Sequence, residues 1–298
     1  MREGPPLLSS DSFNALAREA TPLLSLAQRE GRSLTRQQRG LVERIFEQLN
    51  ERLYRFARKR CGSAVEASDV TQEALMVILR RLPELGEEVK LLPWCLGVVR
   101  VLCLKRSARE ARSKDRSLDA HLEERGHPDA LINSEDNPAE LASRESDREE
   151  LARGIQSLEP LYREVLLLRD IEGLSATETA LVVDASVSAV KSRLHRARAD
   201  LRVALSAQTP PPPIPDDCPD IRRVFSEHLE GDLKPSLCAE MESHVRGCLI
   251  CARECDELKA TMSICSSTPS KLPAELALQL KARIKAWLER NPTPSSSI

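Results

Sequence analysis

Residues 158–202 read LEPLYREVLLLRDIEGLSATETALVVDASVSAVKSRLHRARADLR. The apolar residues of this stretch recur at intervals of three and four, which is the period of α-helices that pack on one another. Ser175, with Glu178 three positions later, predicts a capped helix start. Ser186 predicts a second start after a tight turn at Asp184 and Ala185. The stretch is therefore expected to form two short helices joined by a turn.

The second of these helices has the composition of a helix that binds nucleic acid. Its small residues permit close approach to base edges, and the cations that follow can contact phosphates. A solvated basic face of an ordinary helical bundle is the competing interpretation, and the capping and turn pattern disfavours it. The predicted DNA-contacting residues are Ser188, Ala189, Lys191, Ser192, Arg193, His195 and Arg196, with Arg198 as a further cation.

The segment from Arg163 to Leu201, with REVLLLR, EGLS and VKSRLHRAR, resembles region 4 of sigma-70 family factors. The family usually has Gly-Ile before the Ser of the turn, where this chain has Asp184 and Ala185. The resemblance implies that this helix-turn-helix reads the minus-thirty-five promoter element.

A second motif lies upstream, where residues 69–74 read DVTQEA and are followed by LMVILRRL. This pattern predicts a helix with an acidic polar face, which suits a basic protein surface. A plain helix start with acids at the positive end of its dipole has the same pattern. The stretch resembles region 2.2 of sigma factors, and this resemblance implies that Asp69, Gln72 and Glu73 bind core RNA polymerase.

Residues 93–114 read PWCLGVVRVLCLKRSAREARSK and predict a helix that begins with an apolar anchor, Trp94, and continues with cations. It resembles the sigma helix that, with the loop before it (82–92), reads and melts the minus-ten element. Val101 stands where the family usually has Asn. The resemblance adds Arg100, Lys105, Arg106 and Arg109 to the predicted DNA-binding residues.

The C-terminal part of the chain carries a HxxxCxxC motif at His244, Cys248 and Cys251, with Cys218 upstream as a fourth ligand. Three thiolates and one imidazole are a common closed set for a structural zinc ion. The motif and the HLEGDL stretch at 228–233 resemble the zinc-binding anti-sigma fold. Zinc is therefore the expected cofactor.

The remaining cysteines divide into two groups. Cys61, Cys95 and Cys103 fall on apolar helix faces and are expected to be small core residues. Cys238, Cys255 and Cys265 are surplus thiols near the metal motif, either as packing residues or as possible sensing thiols for a soft ion such as copper or for redox change. His228 is expected to pack rather than to ligate.

Composition, its changes along the chain and the resemblances above together imply the organisation of the 298 residues, whose net charge is -2 and aromatic content 3%. The expected fold class is all-α, with two helical sigma domains and a small helical zinc-binding domain. The amphipathic C-terminal helix has an apolar stripe suited to docking on a partner domain. The predicted segments are an extension (1–35), sigma region 2 (36–116), an acidic linker (117–150), region 4 (151–207), a Pro-rich linker (208–217), the zinc-binding anti-sigma-like domain (218–265) and the C-terminal helix (270–290).

These observations predict a promoter-specificity factor of the extracytoplasmic-function (ECF) sigma type, controlled by intramolecular contact with its own C-terminal domain. No nucleophile, base and oxyanion constellation and no Gly-rich phosphate loop is present in the sequence, so an enzyme is not expected. No apolar run approaches the length of a membrane span, and a cytoplasmic location with no membrane partner is expected. The alternatives are an autonomous helix-turn-helix regulator, and a C-terminal domain that buffers metal or docks proteins without controlling transcription.

Overall fold

The computed structural model describes residues 12–19, 34–61, 63–86, 89–114, 150–205, 215, 218–231, 234–267 and 272–290. Every regular element in these ranges is helical, so the predicted all-α fold class is confirmed. In the described ranges, each helix is either too short or too polar to traverse a bilayer. In chain order, helices α1 to α10 are α1 (Arg36–Arg60), α2 (Ala64–Arg81), α3 (Leu91–Lys114), α4 (Pro160–Leu166), α5 (Ala176–Val183), α6 (Val187–Leu205), α7 (Ile221–Leu229), α8 (Pro235–Gly247), α9 (Leu249–Ser267) and α10 (Ala274–Arg290).

The chain divides into two compact units. The first contains residues 1–131, 172–174 and 269–298, and the second contains 132–171 and 175–268. The C-terminal helix thus belongs with the predicted region 2. The predicted zinc-binding segment belongs with the helix-turn-helix.

In the first unit, α1, α2 and α3 pack on one another around buried aliphatic side chains. Thr35 and Gln38 form a capping box at the start of α1, and Ser63 and Glu66 form another at the start of α2. Each box satisfies backbone N–H groups that a helix start otherwise leaves without a partner. Helix α10 packs on α1 and α2. The buried core residues include Leu49, Leu53, Leu75, Ile78, Leu92, Leu96 and Val99.

In the second unit, α4 and α5 pack on α6, and α7 and α9 pack on α6 as well. The helical residues 150–157 approach α6 closely, because a Cβ atom at Gly154 would lie 3.0 Å from the Leu201 side chain. Helices α7, α8 and α9 share their own small core, which consists of Ile221, Phe225, Met241, Cys251, Cys255 and Leu258. So few apolar residues make a core that needs further support.

Candidate nucleic-acid interface and metal centre

Helix α5 begins with a capping box and ends at the turn that precedes α6. The Glu178 amide donates to Ser175 Oγ over 3.2 Å, and the Ser175 amide donates to the Glu178 carboxylate over 2.8 Å. Helix α5 ends at Asp184, whose φ of 54° is in the left-handed region that non-Gly residues other than Asn and Asp seldom adopt. The Asp that replaces the usual Gly therefore still forms the tight turn.

Helix α6 starts at Ser186, whose Oγ accepts a hydrogen bond from the Ala189 amide over 3.1 Å. Its buried side carries Val190, Leu194 and Leu201. Of the predicted DNA-contacting residues on α6, Ser188, Ser192 and Arg196 are exposed, and Ala189, Lys191, Arg193 and His195 are half-buried. The exposed three are spaced four residues apart, so they form one stripe along the helix.

Two residues of α6 face the C-terminal helices instead of solvent. His195 lines a small pocket together with Arg222 and Phe225 of α7, and burial there lowers the pKa of its imidazole. Arg198 is buried, donates to Asp170 over 2.6 Å and to Glu230 over 2.8 Å, and also bonds Ser226. Arg198, which was expected to contact phosphate, thus has its charge engaged in a buried ion-pair network in this structure.

The predicted polymerase-contacting residues lie on α2 of the first unit. Asp69 and Glu73 are 58% and 51% exposed, and the Arg106 guanidinium of α3 pairs with both, over 3.3 and 3.4 Å. Gln72 is half-buried, since its side-chain amide contacts α10. Arg106 thus pairs with both exposed carboxylates. Of the other predicted DNA-binding cations on α3, Lys105 and Arg109 are exposed and Arg100 is half-buried.

The cysteines of the first unit are buried, as expected for core residues. The Sγ atoms of Cys61 and Cys103 lie 2.9 Å apart, which joins the end of α1 to the middle of α3. Burial raises the pKa of the Cys95 thiol well above its ordinary value. Trp94 at the start of α3 is half-buried.

Four side chains of the second unit place their donor atoms within 4.8 Å of one another: Cys218, His244, Cys248 and Cys251. Cys218 precedes α7, His244 lies in the last turn of α8, Cys248 caps that helix, and Cys251 lies in the first turn of α9. The sequence predicted the same four residues as metal ligands.

The donor distances fit a tetrahedral metal ion. A Zn–S bond of about 2.3 Å in a tetrahedron separates two sulfurs by about 3.8 Å, and Cys218 Sγ lies 3.9 Å from Cys248 Sγ. His244 Nε2 lies 3.3 Å from Cys251 Sγ. Backbone hydrogen bonding from Cys251 lowers the pKa of Cys248, whereas burial raises the pKa of Cys251 to about 12. By its donor atoms and the distances between them, the group could hold a metal ion that favours thiolate and imidazole.

The three surplus thiols have different surroundings. Cys255 is buried in the small core, where burial raises its pKa to about 11. Cys238 Sγ lies 3.4 Å from His228 Nδ1, and no pattern in the sequence indicated this contact. The His228 ring also stacks on Phe225, with ring centroids 6.0 Å apart. The side chain of Cys265 lies outside the described residues.

Comparison with protein families matches both helical blocks. The family described as "Sigma-70 region 2" matches residues 45–113, and the one described as "Sigma-70, region 4" matches residues 148–201. The C-terminal segment lies beyond both matches. The two helical blocks are thus similar to regions 2 and 4 of sigma-70-type factors.

Several relatives are sigma factors of the ECF type. The ECF RNA polymerase sigma factor SigE of Mycolicibacterium smegmatis is 27% identical over 54% of this chain and 60% of its own length. SigD of Mycobacterium tuberculosis is 28% identical over 53% of this chain and 74% of its own. The sigma-E factor of Escherichia coli is 29% identical over 45% and 70%. The matched region covers less than two thirds of SigE.

Two solved structures are also similar. The sigma factor RpoE in complex with the anti-sigma factor NepR, from Bartonella quintana, has a TM-score of 0.47 at 19% identity and covers 56% of this chain and 98% of its own. CnrH in complex with the cytosolic domain of CnrY has a TM-score of 0.42 at 22% identity, covering 65% and 99%. On the sequence comparisons, the chain is similar to ECF sigma factors over regions 2 and 4. Sigma factors are non-enzymatic transcription initiation factors, so the expectation that the chain is not an enzyme is confirmed.

Proposed function

We propose that this protein binds core RNA polymerase through region 2 and directs it to promoters through regions 2 and 4. The observation that carries the proposal is the match of both regions in one chain, together with the alignment of 53% of this chain to an ECF sigma factor. An autonomous helix-turn-helix regulator has no need of a region 2 domain. The acidic edge of α2 and the exposed stripe of α6 supply the two surfaces that such a factor uses.

Reconstituted transcription with core polymerase tests this function. The intact protein should bind core polymerase and start transcription at a cognate promoter. Replacement of both Asp69 and Glu73 by Ala removes the two exposed carboxylates of the patch and should weaken binding to the core enzyme. Glu240→Ala, which removes an exposed carboxylate from α8 in the second unit, is the control. DNA binding without polymerase binding by the intact protein would instead favour the autonomous regulator.

The metal centre is proposed to be a structural zinc site formed by Cys218, His244, Cys248 and Cys251. The support is the Cys₃His donor set together with the small core of α7, α8 and α9. Zinc prefers thiolate and imidazole in a closed tetrahedral site, and its binding free energy can fold a module that is too small to fold alone. A soft ion such as copper at Cys238, Cys255 or Cys265 is a further proposal, for which the His228 contact of Cys238 gives a second donor.

The C-terminal segment is proposed to control the sigma factor to which it is fused. Its support is the ion-pair network between α6 and the C-terminal helices, in which Arg202 lies 2.9 Å from Glu254 with both side chains almost fully buried. Arg169 also pairs with Glu230. A helix of region 4 thus has one side covered by the added module. A module that only buffers metal would have no reason to make these contacts.

A further inference from the structure

Helix α10 is docked on region 2 by an apolar stripe. Leu276, Leu280 and Ile284 are 4%, 0% and 4% exposed, whereas Leu278 on the opposite side is 70% exposed. The helices that α10 packs against are α1 and α2. The stripe has the i, i+4, i+8 spacing of an amphipathic helix laid in a groove.

Polar contacts hold α10 beside Asp69, Gln72 and Glu73, the residues predicted to bind polymerase. Gln72 donates through Nε2 to Gln279 over 3.0 Å and accepts through Oε1 from Arg283 over 3.1 Å. Lys281 pairs with Glu47 of α1 over 3.0 Å, and this pairing raises the pKa of Lys281. The Leu272 amide donates to Glu51 over 3.1 Å. Both polar ends of the Gln72 amide are therefore engaged by the C-terminal helix.

We propose that α10 occupies, in cis, the α1–α2 groove that core polymerase needs, so that the two compete for it. The inference rests on the sigma function proposed above. The contacts also define the partner by its chemistry: a helix with an apolar stripe and a cationic edge that faces Glu47, Glu51 and Gln72. The polymerase-binding surface thus extends from α2 onto α1.

The ion pair that holds α10 on α1 differs in burial from the ion pair that holds α9 on α6. Lys281 and Glu47 are 61% and 49% exposed, and exposed pairs hold a helix only weakly. By contrast, Arg202 and Glu254 are 2% and 3% exposed, and separating such a pair leaves buried charges uncompensated. Helix α10 is therefore the element that is released first, while α7 and α9 stay on α6.

A matched pair of substitutions in the full-length chain tests the competition. Leu280→Asp places a charge in the groove and should release α10, whereas Leu278→Asp adds the same charge to the exposed side of the same helix. If α10 is docked in about 90% of molecules, its release should tighten the apparent affinity for core polymerase about tenfold. Leu278→Asp should change it less than about twofold. Circular dichroism and metal content, measured on both variants, check that region 2 and the metal module stay folded.

A second experiment uses a chain that ends at Ser267 and a peptide of residues 272–290. The peptide should compete with core polymerase for the shortened chain, and its Leu280→Asp form should not. Glu47→Lys in the shortened chain should weaken polymerase binding several-fold, because the cationic edge of the partner would meet a like charge.

The outcomes separate the two proposals. Equal affinity of the intact chain, Leu280→Asp and the shortened chain for core polymerase, with no competition by the peptide, would overturn the masking. Failure of every form, including the shortened chain, to bind core polymerase would overturn the sigma function itself.

Discussion

Arg283 of α10 donates a hydrogen bond over 3.1 Å to the side-chain oxygen of Gln72 on α2, across 211 positions of sequence. Gln72 is the central residue of the DVTQEA motif, and Arg283 lies near the C-terminal end of the described chain. A residue predicted to bind polymerase is thus held by the protein itself. The C-terminal helix is therefore the element expected to control polymerase binding.

Promoter binding should depend on the cations of α6. Replacing Arg193 and Arg196 together with Ala should weaken promoter binding and reduce the salt dependence of binding by about one to two units of slope, since each phosphate contact releases about one counterion. Affinity for core polymerase should not change. Lys234→Ala, which removes an exposed charge from the C-terminal segment, is the control for net charge. A parallel loss of polymerase binding would point to misfolding of region 4.

The metal site should prove structural. The purified protein should contain about one zinc ion per chain, as expected for one tetrahedral set. Cys248→Ser or a chelator should melt α7, α8 and α9, because their core contains few apolar residues. Cys95→Ser, which alters a buried thiol remote in sequence from the metal motif, should retain the zinc. Absence of bound metal from protein purified under reducing, chelator-free conditions would remove the assignment.

The ion pairs of Glu254 on α9 should contribute strongly to the free energy of unfolding. Glu254→Gln keeps the side-chain shape but removes the charge that both Arg202 and Arg222 face. A loss of about 2 kcal/mol in the free energy of unfolding is expected, because a buried charge pair is broken while Arg202 keeps its ion pair with Glu257. Asp256→Asn on the same helix, at a carboxylate that is 78% exposed, should cost less than about 0.5 kcal/mol. Urea denaturation compares the two, and similar losses would contradict a special role for the buried pair.

Removal of the whole C-terminal segment should reveal its effect on transcription. A chain truncated after Ser206 lacks both the module on α6 and helix α10, so transcription from the cognate promoter should change several-fold, with an increase expected from the masking. Any response to added copper, zinc or cadmium should disappear. The intact chain in the same run-off assay is the reference. Identical activity and metal response in both chains would make the C-terminal segment a passive addition.

Local signals in the sequence predicted the parts of this protein that depend on short-range physics. The Ser175–Glu178 capping box and the Ser186 cap form because a helix start leaves backbone donors that nearby side chains can satisfy. The same holds for the HxxxCxxC motif, where helical spacing and one chain reversal bring the ligands close. For these features, few conformations of the segment satisfy the pattern.

Contacts between distant segments could not be predicted from local signals in the sequence. The sequence offered Arg198 as a phosphate ligand, and only the fold brings Asp170, Ser226 and Glu230 around it. His228 was likewise expected from the sequence to be a packing residue, and its contact with Cys238 was not predicted. A charge has the same appearance in a sequence whether it meets solvent, DNA or a buried partner, since its neighbours are set by packing.

The helices, their caps, the HxxxCxxC part of the candidate metal site and the sigma-70 motifs were thus determined by the sequence itself, because each rests on spacing within a few turns of chain. Only the tertiary structure decided that α7 and α9 pack on α6 and that α10 packs on α1 and α2. An amphipathic stripe such as Leu276, Leu280 and Ile284 specifies that a helix must be covered, but not by what. The partner is chosen by complementary shape and charge, and those exist only once the whole chain has folded.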